Sequence, residues 1–290
     1  MADHRITATT RCAGVIGTPI RHSLSPALFN AAFEASGLDW AYLAFEVPDG
    51  GADLAIAGVR ALGLDGLSVT MPHKAAVIGA LDELSDAAAE LGAVNCIVRR
   101  GAQLVGHNTD GPGLLDSLRI DEGIDLVGRS VAVVGAGGAA RAVTRALGAA
   151  GVGSVVVINR SQERGAEAAA LAGAVGSVGS AAAAADVEVV INATPLGMGV
   201  VTSTSGAPEP LPVDPELLGS GQVFVDLIYH PAETPMIAAA RARGIRTVNG
   251  LGMLIHQAAH AFRLWTNEEP PLEAMSGAAV AAMLHHQRPH

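Results

Sequence analysis

A β-branched run from Ser130 to Val134 empties into Gly135-Ala136-Gly137-Gly138-Ala139-Ala140, and an Ala-rich stretch of helical character follows at once. Few local patterns restrict a fold as strongly as this G-x-G-x-x-A turn between a strand and a helix. The first glycine permits the tight turn, the second lets the backbone approach a pyrophosphate, and the small third residue lets helix and strand pack closely. The free N–H groups at the start of the helix then face the phosphates. Gly135, Ala136, Gly137, Gly138 and Ala139 are therefore candidate dinucleotide contacts. Taken alone, the motif has a second explanation, a simple turn in a chain that holds 35 glycines.

The next strand, Val155 to Asn159, ends in Asn159-Arg160-Ser161, with Arg164 one turn on. An enzyme that prefers NAD would place there the acid that binds the ribose hydroxyls. Guanidinium groups instead hold a 2'-phosphate through charge-assisted hydrogen bonds, so NADP(H) is the expected cofactor. A solvated arginine pair is the competing explanation.

Elsewhere, short β-branched runs alternate with Ala-rich helical stretches, the pattern of a mostly parallel sheet covered by helices. In the first hundred residues, strands are expected near Gly14–Gly17, Tyr42–Val47 and Leu67–Thr70, with helices between them. Asn95–Arg99 and Gln103–His107 flank Arg100-Gly101 and read as a hairpin. A connecting helix from Gly111 to Leu118 leads to a second unit with strands at Ser130–Val134, Val155–Asn159, Val187–Asn192, Val223–Leu227 and near Thr247. Ala181–Ala185 reads as a piece of helix, and Gly199–Pro215 as a long loop. Leu251, Leu254, Ala258, Ala261 or Phe262, and Trp265 recur at helical spacing, and a last helix is expected from Leu272 to Leu284.

The expected fold class is therefore α/β with two α/β domains. An N-terminal substrate-binding catalytic domain, residues 1–110 plus 251–290, carries a mixed, mostly parallel sheet and receives the C-terminal helices. Residues 111–250 form a Rossmann-type, doubly wound, NADP-binding domain.

Composition excludes several other classes. Half the residues are hydrophobic, no apolar run approaches the roughly 18 to 20 residues of a membrane span, and the start carries no apolar leader. Only Cys12 and Cys96 are present, too few for a disulfide framework or a cysteine zinc site, and a cytoplasmic location is expected. A net charge of -10 argues against nucleic-acid and anionic-membrane partners. No metal site is expected, since the terminal histidines, His285 to His290, lack a helical i,i+4 pattern and are read as a frayed end. Of the 18 basic residues, Lys74 is the single lysine. Arginine holds its charge at any physiological pH, whereas a lysine amine can release and recover a proton, so Lys74 is a candidate for proton chemistry.

Short polar motifs follow the strands of the first domain, where open α/β sheets place ligands. Ser23 and Ser25 precede a helix and suit a small carboxylate, although Ser25 before Pro26 is also a good N-cap. Pro72 stops the third strand and delivers Lys74, Asn95 opens the next strand, and Asp110 stands at the domain boundary, where it also suits a helix cap.

These residues resemble the shikimate dehydrogenase family over nearly the whole chain. The resemblance is carried by His22-Ser23-Leu24-Ser25-Pro26, Val69-Thr70-Met71-Pro72-His73-Lys74, Gly92-Ala93-Val94-Asn95, Asn108-Thr109-Asp110, the glycine turn, Asn159-Arg160-Ser161, Asn192 to Met198, Asp226-Leu227-Ile228-Tyr229, and Asn249 to Met253 with Gln257. It implies that Ser23 and Ser25 hold a substrate carboxylate, and that Thr70, Lys74, Asn95, Asp110, Tyr229 and Gln257 contact the rest of the ligand. Lys74 and Asp110 are then the catalytic pair, and Asp86, Thr194, Leu227 and Gly250 lie near the cofactor. Without the family pattern, Gln257 reads as a helix-surface amide and Tyr229 as a half-buried core aromatic.

The implied reaction is the reversible, NADP-dependent reduction of 3-dehydroshikimate to shikimate. Lys74 donates the proton, and Asp110 accepts a hydrogen bond from the ammonium or the adjacent hydroxyl. Gly111 and Gly250 are candidate hinges for closing a cleft over the substrate. The sequence departs from the family at Ser68, where Asn is common, and at Cys96 and Ser161, where Thr is common. A quinate or quinate/shikimate dehydrogenase, a non-catalytic NADP-binding regulator and a folate-type dehydrogenase remain alternatives at this point. A homodimer is an open expectation for assembly.

Overall fold

A computed structural model describes residues 6–198 and 210–286. The chain divides into two compact units, one formed by the chain through Thr109 together with Ile255 onward, the other by Asp110–Leu254. Among the described residues no helix is long and apolar enough to cross a membrane.

In chain order the first unit contains β1 (Arg11–Gly17), α1 (Ser25–Ala35), β2 (Trp40–Glu46), α2 (Ala52–Leu62), β3 (Gly66–Val69), β4 (Glu83–Leu84), α3 (Asp86–Leu91), β5 (Cys96–Arg100) and β6 (Gln103–His107). Its six-stranded sheet runs β2-β1-β3-β5-β6-β4. β1 lies parallel to β2 and β3, whereas β5 is antiparallel to β3 and β6, which gives the mixed sheet expected. One face is covered by Ile56, Val59 and Val77 packed on Ile16, Leu67, Val69 and Ile97.

The second unit begins with α4 (Asp110–Asp116), which passes into a π-helical turn at Ser117–Asp121 instead of continuing as a regular helix to Leu118. There follow β7 (Ser130–Val134), α5 (Gly138–Ala149), β8 (Ser154–Ile158), α6 (Gln162–Ala170), β9 (Gly176–Gly179), a 3-10 turn at Ala181–Asp186, β10 (Val189–Asn192), β11 (Val223–Asp226), α7 (Pro235–Ala242) and β12 (Arg246–Val248). All six strands are parallel in the order β12-β11-β10-β7-β8-β9. The burial explains why these strands read as unbroken apolar runs. Val131, Val133, Val189 and Ile191 enter the core on one face, and Ala132, Val134, Val190 and Phe224 enter the core on the other. Alternate residues point to opposite faces, so a sheet covered on both sides needs apolar residues at every position.

The chain closes with α8 (Leu251–Thr266) and α9 (Leu272–His286). Within the first unit, the Trp265 indole donates to the Ile97 carbonyl at 2.9 Å. A methyl group at Gly66 would stand 2.6 Å from that ring, so the absent side chain there is what admits the indole. The last helix takes in His285 and His286, where a frayed end had been expected, and the four residues after it are outside those described.

Two strands escape the sequence reading. β4 has two residues, and β9 is Gly-Ser-Val-Gly, with none of the β-branched density that marks the other strands. Gly176 is selected by proximity, since a Cβ there would lie 2.0 Å from the Ala169 carbonyl oxygen. Packing on α6 therefore favours glycine at the expense of strand propensity. Most of the expected Gly199–Pro215 loop lies outside the described residues, and Pro215 opens a short 3-10 turn.

Candidate active site

In the first unit the polar motifs collect beyond the carboxyl ends of β1 and β3 and at the start of β5. Ser25 is the first residue of α1, Leu24 occupies the N-cap, and no side chain caps this helix. The capping role weighed for Ser25 is thus corrected, because the turn places Ser25 one position further in. The Ser25 N–H donates to Ser23 Oγ at 3.3 Å, which links the two hydroxyl residues. The Ser25 side chain is buried, at 7% exposure.

Thr70 stands just past β3, its N–H donating to the Ile16 carbonyl and its own carbonyl accepting from His73 N–H, both at 3.0 Å. Lys74 follows on this turn and is half-buried. Its carbonyl accepts from Val94 N–H at 2.8 Å, and buried His73 places Nε2 2.8 Å from the Val47 carbonyl oxygen. Each flank of the lysine backbone is therefore held by a different segment.

Asn95 is buried. Its amide nitrogen donates to Thr109 Oγ1 at 2.9 Å and to Gln257 Oε1 at 3.4 Å, and its Oδ1 accepts from Thr109 N–H at 2.8 Å. Gln257 is thus no mere surface amide, since it meets Asn95 from α8. Thr109, which the sequence reading gave no role, is the other half of the clamp; its position inside Asn108-Thr109-Asp110 was the available signal. Asp86 opens α3, exposed, where its charge complements the helix dipole.

In the second unit, Asp110 is the first residue of α4 and is 6% exposed. Gly135 takes a φ of 112° after β7, and a Cβ there would approach the Ala193 carbonyl oxygen and Thr194 Cγ2 at 3.1 Å. The tight turn and the close neighbour both require glycine. Gly137 is the N-cap of α5, and Ala140 is fully buried against β7. Thr194 follows β10, so it and Gly135 flank the point where the strand order reverses.

Thr194 is fixed by Asn192, whose Oδ1 accepts from its hydroxyl at 2.7 Å and from its N–H at 3.0 Å. Asn192 in turn donates to Asp226 Oδ1 at 3.0 Å, and Thr234 donates to Asp226 Oδ2 at 2.7 Å. Burial raises the Asp226 pKa, and hydrogen bonds from Thr234, Ile228 and Asn192 oppose that rise. The sequence reading missed this buried network. Its signal was a polar residue ending each of two apolar strands.

Asn159 Nδ2 donates to the Ser161 carbonyl at 2.9 Å, and Ser161 caps α6 by accepting from Arg164 N–H at 3.3 Å. Arg160 and Arg164 are exposed and form no ion pair among the described residues. Leu227 N–H donates to the Asn192 carbonyl at 3.0 Å. Gly250 packs so closely that a Cβ would fall 2.0 Å from the Leu227 carbonyl oxygen, and one on Gly111 would fall 2.6 Å from the Ala142 oxygen. Both glycines thus serve close packing inside the second unit. Tyr229 is partly buried, which raises its pKa and keeps the phenol protonated.

Three family models match the chain: the shikimate dehydrogenase substrate binding domain over residues 15–97, shikimate / quinate 5-dehydrogenase over 119–211, and the shikimate 5'-dehydrogenase C-terminal domain over 250–279. The shikimate dehydrogenase (NADP(+)) of Symbiobacterium thermophilum is 46% identical over 284 residues, covering 94% of this chain and 95% of that protein. The chain belongs to the shikimate dehydrogenase family. Shikimate 5-dehydrogenase from Thermus thermophilus, solved with NADP(H) and shikimate, is 36% identical with a TM-score of 0.84, covering 94% of this chain and 99% of that one. A further shikimate dehydrogenase, solved with NADP+, is 36% identical with a TM-score of 0.88, covering 96% and 98%.

Membership in the shikimate dehydrogenase family gives the three departures a physical reading. Ser161 supplies the same capping hydroxyl that threonine would. Ser68 and Cys96 face each other across β3 and β5, and burial raises the Cys96 pKa, so the thiol stays neutral.

Proposed function

We propose that this member of the shikimate dehydrogenase family reversibly reduces 3-dehydroshikimate to shikimate with NADPH as reductant. The observation that carries the reading is the clamp in the first unit. Val94 N–H holds the Lys74 backbone at 2.8 Å, and the adjoining residue, Asn95, reaches both Thr109 and Gln257. A lysine, two amides and the Ser23/Ser25 hydroxyl pair suit a small hydroxylated acid, and the first unit is read as the substrate domain.

The second unit is read as the dinucleotide domain, and its residues fit NADP. A Cβ at Gly137 or Gly138 would meet nothing within 4 Å, and neither glycine has a left-handed φ. The packing of the chain therefore does not explain glycine at these two positions, whereas close approach of a pyrophosphate does. Gly135, Ala136, Gly137, Gly138 and Ala139 would line the phosphates, and Asn159, Arg160, Ser161 and Arg164 the 2'-phosphate. Thr194, Leu227, Gly250 and Asp86 are assigned to the remaining cofactor contacts on the family pattern.

Bound NADPH supplies the hydride. Lys74 then donates the proton that neutralises the developing alkoxide, and Asp110 orients the adjacent hydroxyl by accepting its hydrogen bond. Ser23 and Ser25 hold the carboxylate, while Thr70, Asn95, Tyr229 and Gln257 fix the ring hydroxyls so that the carbonyl meets the hydride in one orientation. Two free thiols, Cys12 and Cys96, support a reducing compartment, the cytoplasm.

The test is a matrix of shikimate and quinate against NADP+ and NAD+, followed at 340 nm. The highest kcat/KM is expected for shikimate with NADP+. No absorbance change with any pair would overturn the enzyme assignment, and a preference for quinate would overturn the substrate.

A further inference from the structure

The Tyr42 hydroxyl is buried and has no hydrogen-bond partner, although its residue is only 1% exposed. Such a group is costly unless something else supplies the acceptor. Two serine hydroxyls, those of Ser68 and Ser25, lie near it. Tyr42 pairs with Ala13, and Ala13 pairs with Gly66, so the three share one sheet face. Ser68 lies two residues along β3 from Gly66, on that same face and roughly 6.6 Å nearer the carboxyl ends.

The phenol ring is stacked on Phe29 of α1, with ring centroids 4.4 Å apart and planes 17° from parallel. Ser25 precedes Phe29 by four residues and so projects from the same side of α1. Burial pushes the phenol pKa up, and the Ser68 and Ser25 hydroxyls pull it back only in part. Both serine hydroxyls therefore lie near the phenol oxygen, yet neither meets hydrogen-bond geometry with it. The phenol remains a proton donor without an acceptor.

We infer that Tyr42 is a substrate-positioning residue, whose O–H donates to Ser25 Oγ once a bound carboxylate has drawn the Ser25 side chain into hydrogen-bond geometry with the phenol. This rests on the reading of Ser25 as a carboxylate ligand. In the free protein Ser25 Oγ stands outside hydrogen-bond geometry to the phenol; a carboxylate that accepts the Ser25 proton fixes that side chain with an oxygen lone pair facing Tyr42. Tyr42 then acts through Ser25 and touches neither the reacting carbon nor the cofactor.

Tyr42→Phe keeps the stacked ring and deletes only the hydroxyl. The expected result is a KM for shikimate raised about three- to tenfold, the worth of one hydrogen bond, with kcat within about twofold and the KM for NADP+ unchanged. The melting temperature should not fall, because an unsatisfied group has been removed. In a Ser25→Ala background the same change should no longer move the KM. An unaltered KM in Tyr42→Phe, beside a raised one in Ser25→Ala, overturns the inference and leaves the carboxylate reading intact. A KM shift of equal size in both backgrounds, or a lowered melting temperature, makes the hydroxyl purely structural and also overturns it. If Ser25→Ala itself leaves the KM for shikimate at the wild-type value, the carboxylate reading fails.

Discussion

Asn95 and Thr109 clasp each other through two hydrogen bonds, from the Asn95 amide nitrogen to Thr109 Oγ1 at 2.9 Å and from Thr109 N–H to Asn95 Oδ1 at 2.8 Å. The pair is buried, so water cannot replace either bond. Asn95→Ala is expected to lower stability by about 1–3 kcal/mol, the cost of stranding buried polar groups. It should also raise the KM for shikimate, because Gln257 loses one of its hydrogen bonds. Urea unfolding and steady-state kinetics check the two halves separately, and a variant as stable as the parent would contradict the first.

Lys74 is the only lysine in the chain, and its backbone is pinned by Val94. Lys74→Ala is expected to lower kcat by roughly a hundred- to ten-thousandfold, the range for a positioned acid or base. Near-normal turnover under saturating substrate would remove this side chain from the proton transfer.

Arg160 and Arg164 are exposed and engage no acid among the described residues, so their charges are available to an anionic ligand. Replacing both with alanine is expected to weaken NADPH roughly ten- to a hundredfold, the loss expected of charge-assisted hydrogen bonds. NADH should be almost unaffected. Fluorescence titration with each nucleotide checks this, and equal losses would exclude a 2'-phosphate contact.

His107 ends β6 with Nε2 buried and without a partner. Burial, and secondarily the Arg100 charge, lowers its pKa from the usual 6.5. Below that value the unfolded chain takes up a proton that the folded chain still refuses. Stability contributed by this group is therefore full at higher pH and is lost as the pH falls through 6.5 toward the folded value. Melting curves of His107→Gln and the parent should converge in slope at neutral pH and separate below it, the variant losing less. Parallel curves across that window would show that His107 is not the group responsible.

Much of this architecture was legible in the chain. The strands of the second sheet were readable because both their faces are buried, so Val189, Val190 and Ile191 are all apolar and leave no ambiguity. The glycine turn was readable because a φ of 112° at Gly135 admits almost no other residue. β9 was not, because its glycines answer to Ala169 and Val156 across a helix and a strand, and not to their own strand propensity. Ser25 read equally well as a cap or a ligand, since a hydroxyl before proline suits both. Only the course of the turn, which puts Leu24 at the cap, separates them.

Local geometry thus determined what each motif is: a glycine where the backbone must turn sharply, a proline where a strand must stop, an arginine pair where a helix begins. Those constraints act within a few residues and are written directly in the order of side chains. Tertiary structure decided which polar groups meet. Asn95 and Gln257 are 162 positions apart, and Trp265 reaches Ile97 across 168. Such meetings depend on the packing of an entire sheet and its covering helices, and no single segment specifies them. The orphaned Tyr42 hydroxyl belongs to the same class, since its solitude is a property of the assembled face and of no residue alone.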